Sequence, residues 1–469
     1  MQSQVWIWRL SLNDVPMFQP HLQTGIKARS MGLKLFIVCA LAMVMTIPAL
    51  FVDNLVDERT HRSNDVVREI SSHSGGQQAF LGPTLAIPYT IPPTSVDGAS
   101  RHGVYLVFPA EASATVKTHT EERRRSLFKV PVFQADLNFS ASFDLAGVPA
   151  AAASNVEFDW THAEFIVGVS DARGALSDGT ITFGGKTVAV APASLGQNIS
   201  IAADSTQQRK LTLFGAAATG VQPNTQFKAT ATLRFSGAQR IAVLAYGKTT
   251  HMSLQGDWPN PSFDGGFLPV SRSVTSSGFS AEWSVPFIAR GVRAEGTAES
   301  ITGLDATALA ASFIEVADPY QSVTRSLKFI LLFNGLIFLS YFVFEVTTGK
   351  RVHPAQYALV GVAQTIFYLL LLSLAERIGF DIGFLVAGAA TVLLLSTNAG
   401  WIFASRLQAI RALVVFTLLY SLIYMLLRLE DNALLVGAIA SFLAVAAAMY
   451  LTRSIDWYGT LPDPATPNQ

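Results

Sequence analysis

Side chains that could do chemistry are few in this sequence, and they are scattered. The stretch SDARG, 170–174, sets Ser170 beside Asp171, with His162 a short way upstream. A hydroxyl nucleophile needs an oriented base within hydrogen-bond reach, and closeness along the chain does not supply one. No G-x-S-x-G elbow accompanies it, so the expected role of this stretch is a turn. His102, His119 and His251 stand alone, and the 8 histidines include no H-E-x-x-H pair. Cys39 is the one cysteine and lies in an apolar run, which excludes an intrachain disulfide framework and a thiolate metal cluster. Neither the phosphate-binding G-x-x-x-x-G-K-[ST] pattern nor G-x-G-x-x-G occurs. The expectation is a chain without cofactor, metal or catalytic centre, and so not an enzyme.

The remaining candidates are binding residues. DWPNPSFDGGFLP, 257–269, combines rigid prolines, flexible glycines and the aromatics Trp258, Phe263 and Phe267. It reads either as a packed structural loop or as an exposed recognition loop near a membrane. ERRR, 122–125, reads as a solvated, salt-bridged loop, with contact to anionic lipid or envelope polymer as the other reading. In YFVFEVTTGKRVHPAQY, 341–357, Glu345 falls in the last turn of an apolar run, where a carboxylate meets the unfavourable end of the helix dipole. Pairing with Lys350 or Arg351 would explain it. An ionisable residue inside a membrane bundle is otherwise a site hypothesis. Asn334, Gln364 and Asn398 are expected to hydrogen-bond between helices, and Gln364 is carried with Glu345 as a candidate functional residue.

The elements that position these residues follow from composition. Half of the 469 residues are hydrophobic and 14% are charged, against about 25% charged in a soluble domain. Acidic and basic residues balance at 33 each, so nothing points to nucleic acid. A membrane-spanning helix needs roughly 20 apolar residues. Such runs occur at 33–52 and again at about 327–346, 354–375, 379–398, 409–427 and 433–451. The first is too long for a cleaved signal peptide and lacks its small-residue cleavage site, so it reads as a signal anchor.

Lys27, Arg29, Lys34, Lys350, Arg351, Arg406, Arg411 and Arg453 all fall on one side of these six spans. The opposite short loops carry Arg377 and Arg428 among the acidic Glu376, Glu430 and Asp431. The positive-inside bias then places both termini in the cytoplasm and the long intervening segment outside. Glu376, Arg377 and Asp381 are expected at the interface beside a tight outer turn.

Between the first two spans the apolar period is two. VFQADLNFSASFDL puts Phe133, Ala135, Leu137, Phe139, Ala141, Phe143 and Leu145 on one face. FKATATLRF and GFSAEWSV repeat the pattern, predicting one-sided antiparallel sheets stacked as a β-sandwich-like domain. VDERTHRSNDVVREISSHSGG, 56–76, has helical spacing instead and continues the first span as an amphipathic helix ending at Gly75–Gly76.

The resulting fold class is a membrane α-helical bundle plus an all-β periplasmic domain. Its expected organisation is a cytoplasmic lead over 1–32, a span over 33–52 and a β-rich domain over 53–325. A five-helix bundle over 326–452 and a cytoplasmic tail over 453–469 follow, with Met1 or Met31 as the start.

The chain resembles the CreD-like inner-membrane proteins of Gram-negative bacteria, the cell-envelope integrity proteins. The resemblance is carried by LVDERTHRSNDVVREI, GPTLAIPY, RRRSLFKVPVFQADL, VGVSDARG, DWPNPSFDGGFLP and GFSAEWSV. It continues through RSLKFILLFNGLIFLSYFVFE, GKRVHPAQYALVG, FYLLLLSLAERIGF and TRSIDWY, in one collinear order from about 31 to 458. The lead before Met31 and an Ala-rich segment near 146–158 depart from it. The resemblance implies a stress- or antibiotic-responsive protein under two-component control, tied to envelope integrity, colicin tolerance and the β-lactam response. It assigns no catalytic residue.

The reading taken is a non-enzymatic envelope protein whose β domain binds an envelope component or a membrane-protein partner, held in the lipid bilayer by the bundle. The alternative is a transporter or lipid-handling protein. Its expected mark is broken helices and charges at the midplane, whereas the charges here gather at helix ends. A homo-oligomer could build a path from so small a bundle.

Overall fold

The structure, a computed structural model, describes residues 31–93, 99–125, 128–148, 155–196, 199–204, 209–313, 319–428 and 433–453. Trp6, Trp8, Lys27, Arg29, Asn198, Glu430 and Asp431 lie outside them. Val56–Tyr320 forms one compact unit, and the chain on either side of it forms another.

The first apolar run remains one candidate span but carries a turn at Met45–Thr46 that splits it into two helices. Helix α1 covers Met31–Val44 and α2 covers Ile47–His73. Pro48 has no N–H to return to the carbonyl four residues back. The turn is closed by tighter bonds, Thr46 N to Met43 O at 3.0 Å and Ala49 N to Thr46 O at 3.1 Å. As expected, α2 stops just before Gly75 and Gly76, which adopt φ of 84° and 63°.

At the other end, α3 (Pro319–Lys328) crosses the expected domain line at residue 325. Then come α4 (Ile330–Thr348), α5 (Pro354–Ile378), α6 (Phe380–Phe403), α7 (Arg406–Arg428) and α8 (Ala433–Thr452). Gly349 ends α4 in the left-handed region at φ 67°, and His353 caps α5, accepting from Ala355 N at 3.2 Å. Links this short between consecutive helices favour antiparallel neighbours. Among the described residues five helices are long and apolar enough to cross a membrane: the α1–α2 stretch, α4, α5, α6 and α7. Helix α8 has 20 residues, with a shorter apolar window over Leu435–Ala447.

The β domain contains, among its described residues, a ten-stranded and an eight-stranded sheet. The eight-stranded sheet runs Ser271–Thr275, Gly278–Val285, Thr249–Gly256, Glu111–Arg125, Phe128–Asp144, Gln226–Ala238, Thr180–Phe183 and Lys186–Ala189. In the other, Gln78–Ile91 lies between Arg240–Leu244 and Glu164–Val169.

Every alternating residue expected inward from Phe133 to Leu145 is buried, and Phe279, Ala281, Trp283 and Val285 follow suit. The two sheets share one apolar cluster. Rings from both meet in it, Phe80 with Phe235 at 5.4 Å and Phe143 with Phe165 at 5.7 Å. The sheets are mixed where antiparallel ones were expected. Gln78 pairs in parallel with Ile241, and Thr249 with Glu111. Both pairings join strands far apart in the chain, with strands of the other sheet between them.

Candidate functional site

The chemical groups singled out in the β domain are consumed by turns. Ser170 Oγ donates to Gln77 O at 3.0 Å and accepts from Ala79 N at 2.9 Å. Asp171 grips the Arg173 guanidinium, with Nη2 to Oδ2 at 2.6 Å, and this contact raises the guanidinium's pKa. His162 does not reach them. Its Nδ1 lies 2.6 Å from Asp159 Oδ2, and Asp159 also accepts from the Thr161 hydroxyl at 2.5 Å. Those contacts, the Thr161 hydroxyl foremost, hold the Asp159 carboxyl down at about 2. His119 Nδ1 sits 2.6 Å from Asp257, whose other oxygen accepts Thr120 N at 2.8 Å.

Residues 122–125 end a strand where a loop was expected, because Glu111–Arg125 pairs with Phe128–Asp144 to its last residue. Glu122 bonds Arg124 at 2.9 Å, and Arg125 pairs with Glu69 of α2, lowering the Glu69 pKa.

The stretch 257–269 is largely structural. Pro261–Gly265 is a strand paired with Ala308–Phe313. Trp258 meets Phe313 edge-on at 6.4 Å, and Phe263 meets Phe279 and Trp283 at 5.8 Å. Phe267 accepts the Trp283 indole N–H on its carbonyl at 3.0 Å. All three aromatics pack on the core. What is offered to solvent lies just beyond, in Leu268 at 68% exposure and Val270 at 76%.

Those two residues lead into the edge strand Ser271–Thr275, beside a shallow cavity of about 340 Å³ on the outer face of the eight-stranded sheet. Strand register builds its floor. One cross-strand row reads Ser113, His251, Ser284; the next reads Ser253, Glu282, Ser271. Ser271 Oγ donates to Glu282 Oε2 at 3.0 Å. Met252, Val270 and Trp283 complete the lining. Beyond this sheet end a single helical turn, Phe287–Arg290, leaves Ile288 92% exposed while Arg290 is buried. Arg290 Nε donates to Ala245 O at 2.8 Å, and burial lowers its pKa to about 10.

This face can hold a ligand by hydroxyls, one imidazole and one carboxylate, with apolar contact at the rim. Sequence reading set His251 aside and passed over Glu282, since the row that holds His251 and the one that joins Glu282 to Ser253 form only through strands distant in the chain. The alternation of Val270, Arg272 and Val274 along an otherwise polar strand was the available signal.

Within the bundle Glu345 is buried, but its partner is Lys34 of α1, where Lys350 or Arg351 was expected. Its oxygens also accept Val352 N and the Tyr357 hydroxyl, each at 3.0 Å. Lys350 turns away to the Phe403 carbonyl at the end of α6, where the helix dipole favours a cation. Gln364 accepts from the Tyr420 hydroxyl at 3.0 Å, and Asn398 Nδ2 donates to Tyr341 Oη at 3.3 Å, as interhelical bonds. Asn334 Nδ2 donates to Met45 O at the break in the first helix, 3.5 Å away. Asn334 Oδ1 and Gln364 Nε2 are buried without a protein partner. Asp381 pairs with Arg428 and accepts from Tyr424 at 3.1 Å.

An apolar N-terminal stretch, a two-sheet β domain and a set of C-terminal apolar helices tied by buried polar contacts define a multi-pass membrane protein. The family model described as Inner membrane protein CreD matches residues 30–458. The chain therefore belongs to the CreD family of inner membrane proteins. It is 28% identical over 426 residues to Inner membrane protein CreD of Escherichia coli (strain K12), covering 89% of this chain and 91% of that relative.

Proposed function

We propose that this inner-membrane protein serves envelope integrity and stress response without catalysing a reaction, by binding an envelope component through its β domain. In this reading both termini are cytoplasmic and the β domain is periplasmic, as the one-sided distribution of Lys350, Arg351, Arg406 and Arg411 favours. Colicin tolerance and the β-lactam response are the phenotypes in which loss of binding would register. The observation that carries the reading is the exposed edge strand with Leu268 and Val270 beside the His251–Glu282 rows. An edge strand keeps unpaired backbone groups available to an extended partner.

The test is photo-crosslinking in living cells from positions 268, 270 and 251, with Val188 on the opposite edge as control. Capture of an envelope component from the first three, and not from Val188, is the expected result. Equal or no capture at all four would sink the reading.

A second reading, transport or lipid handling, draws support from the break at Met45–Thr46 and the open valences of Asn334 and Gln364. Broken helices beside buried polar groups recur at transporter sites. It requires reconstituted flux or lipid transfer that falls when Gln364 is replaced by Leu.

A further inference from the structure

A cavity of about 530 Å³ opens where α6 turns into α7. Ala404 ends α6 in the left-handed region at φ 45°, and the first intrahelical bond of α7 runs from Ala409 N to Ser405 O at 3.2 Å. The N–H groups of Arg406, Leu407 and Gln408 therefore precede the ladder and have no acceptor within the helix. Arg406 itself stands in this first turn, a cation at the end of the helix dipole that favours anions. It has no ion-pair partner among the described residues, so the corner concentrates positive charge that none of them meets.

A second observation points the same way. Ser396 lines the cavity and is only 5% exposed, yet its hydroxyl finds no hydrogen-bond partner. A buried hydroxyl left without a partner is destabilising, a cost that a ligand oxygen would remove. The rest of the wall is greasy: Ile410 and Leu413 continue it along α7, and Trp401 at its rim is 74% exposed. Indole rings of this kind favour the headgroup level of a bilayer.

We propose that this corner is a binding site for an anionic phospholipid. The phosphate sits on Arg406 and the leading N–H groups of α7, an ester carbonyl of the glycerol reaches toward Ser396 deeper in the groove, and one acyl chain lies along Ile410 and Leu413. A free phosphate would satisfy the polar half of the site alone. The apolar wall commits the occupant to a lipid.

The test uses purified full-length protein and native mass spectrometry, comparing phosphatidylglycerol with phosphatidylcholine of the same acyl chains. Wild type is expected to retain phosphatidylglycerol about tenfold better, a difference of roughly 1.4 kcal/mol. Arg406→Gln should abolish that preference and Ser396→Val should weaken retention of both lipids alike, while Arg411→Gln, outside the cavity, leaves the preference intact. Equal retention of the two lipids, an unchanged preference in Arg406→Gln, or full displacement of phosphatidylglycerol by excess inorganic phosphate would overturn the proposal. If Arg406→Gln fails to fold, the wild-type Tm decides. It must rise more in phosphatidylglycerol than in phosphatidylcholine, and equal rises refute the site.

Discussion

Glu345 accepts from an ammonium, a backbone N–H and a phenol, which leaves it occupied as a fastener between the first helix and the α4–α5 hairpin. Removing one partner of a buried ion pair strands the other charge, at a cost of about 3–5 kcal/mol for full burial. Lys34 keeps 23% exposure, so about 2–3 kcal/mol is expected for Lys34→Met or Glu345→Gln alone. The double substitution should be less destabilised than the sum of the two, as a thermal-unfolding cycle on purified protein will show.

At Asp159 the folded carboxyl is held below its ordinary value, so its contribution is present above about pH 4 and lost as pH falls through about 2. A carboxyl-labelled NMR titration should place its midpoint near 2, and Thr161→Ala should move it upward. Glu345 was legible in the sequence as an anomaly, but its partner was not. Lys350 and Arg351 lie within six residues of it, whereas Lys34 lies 311 residues away, and chain proximity is a poor guide once helices from both ends of a sequence pack together.

The elements were read with more success where periodicity alone decides burial. From Phe133 to Leu145 the two-residue period admits one inward face, and Leu137 meets Leu233 across the strands in the register that face demands. Order within the sheets was not readable, because no local pattern encodes which distant strand returns alongside. The strand at Pro261–Gly265 was hidden by the prolines and glycines that make the same stretch look like a loop, tolerated because it is the outermost strand of its sheet.

Pro48 was visible, yet its effect was missed because hydropathy does not register a lost hydrogen bond. Restoring that bond to Val44 O with Pro48→Ala should regularise the turn, so that Ala49 N leaves Thr46 O and takes Met45 O back into the helical ladder. Asn334→Ala should then cost about 0.6–2 kcal/mol in wild type and close to nothing in the Pro48→Ala background, by the same unfolding measurement. In the β domain a Cβ on Gly82 would lie 2.5 Å from the Tyr246 ring. That ring is wholly buried, and its hydroxyl donates to Ser113 O at 2.8 Å. Gly82→Ala should lower stability by about 1–3 kcal/mol, and Tyr246→Phe by about 1 kcal/mol, separating collision from the lost bond.

For the whole molecule, composition was enough to divide apolar helices from a strand-built interior, since hydrocarbon thickness and sheet pleat impose such different repeats. A face made of rows from four strands, as proposed for binding, has no counterpart in any one stretch of sequence. Orientation is checked by proteolysis. In spheroplasts the β domain should be cut from outside, and in inverted vesicles it should be shielded.

The pairing of Lys34 with Glu345 also sets a timetable for biogenesis. Ribosomes add about 5–20 residues per second, so the lysine emerges on the order of 15–60 s before the carboxylate that will receive it, 311 positions later. Throughout that interval the leading helix must wait in the bilayer as a lone, loosely held segment while the sheets assemble. A nascent chain arrested before Glu345 should therefore surrender that helix to a membrane protease, and one released just after α5 should resist.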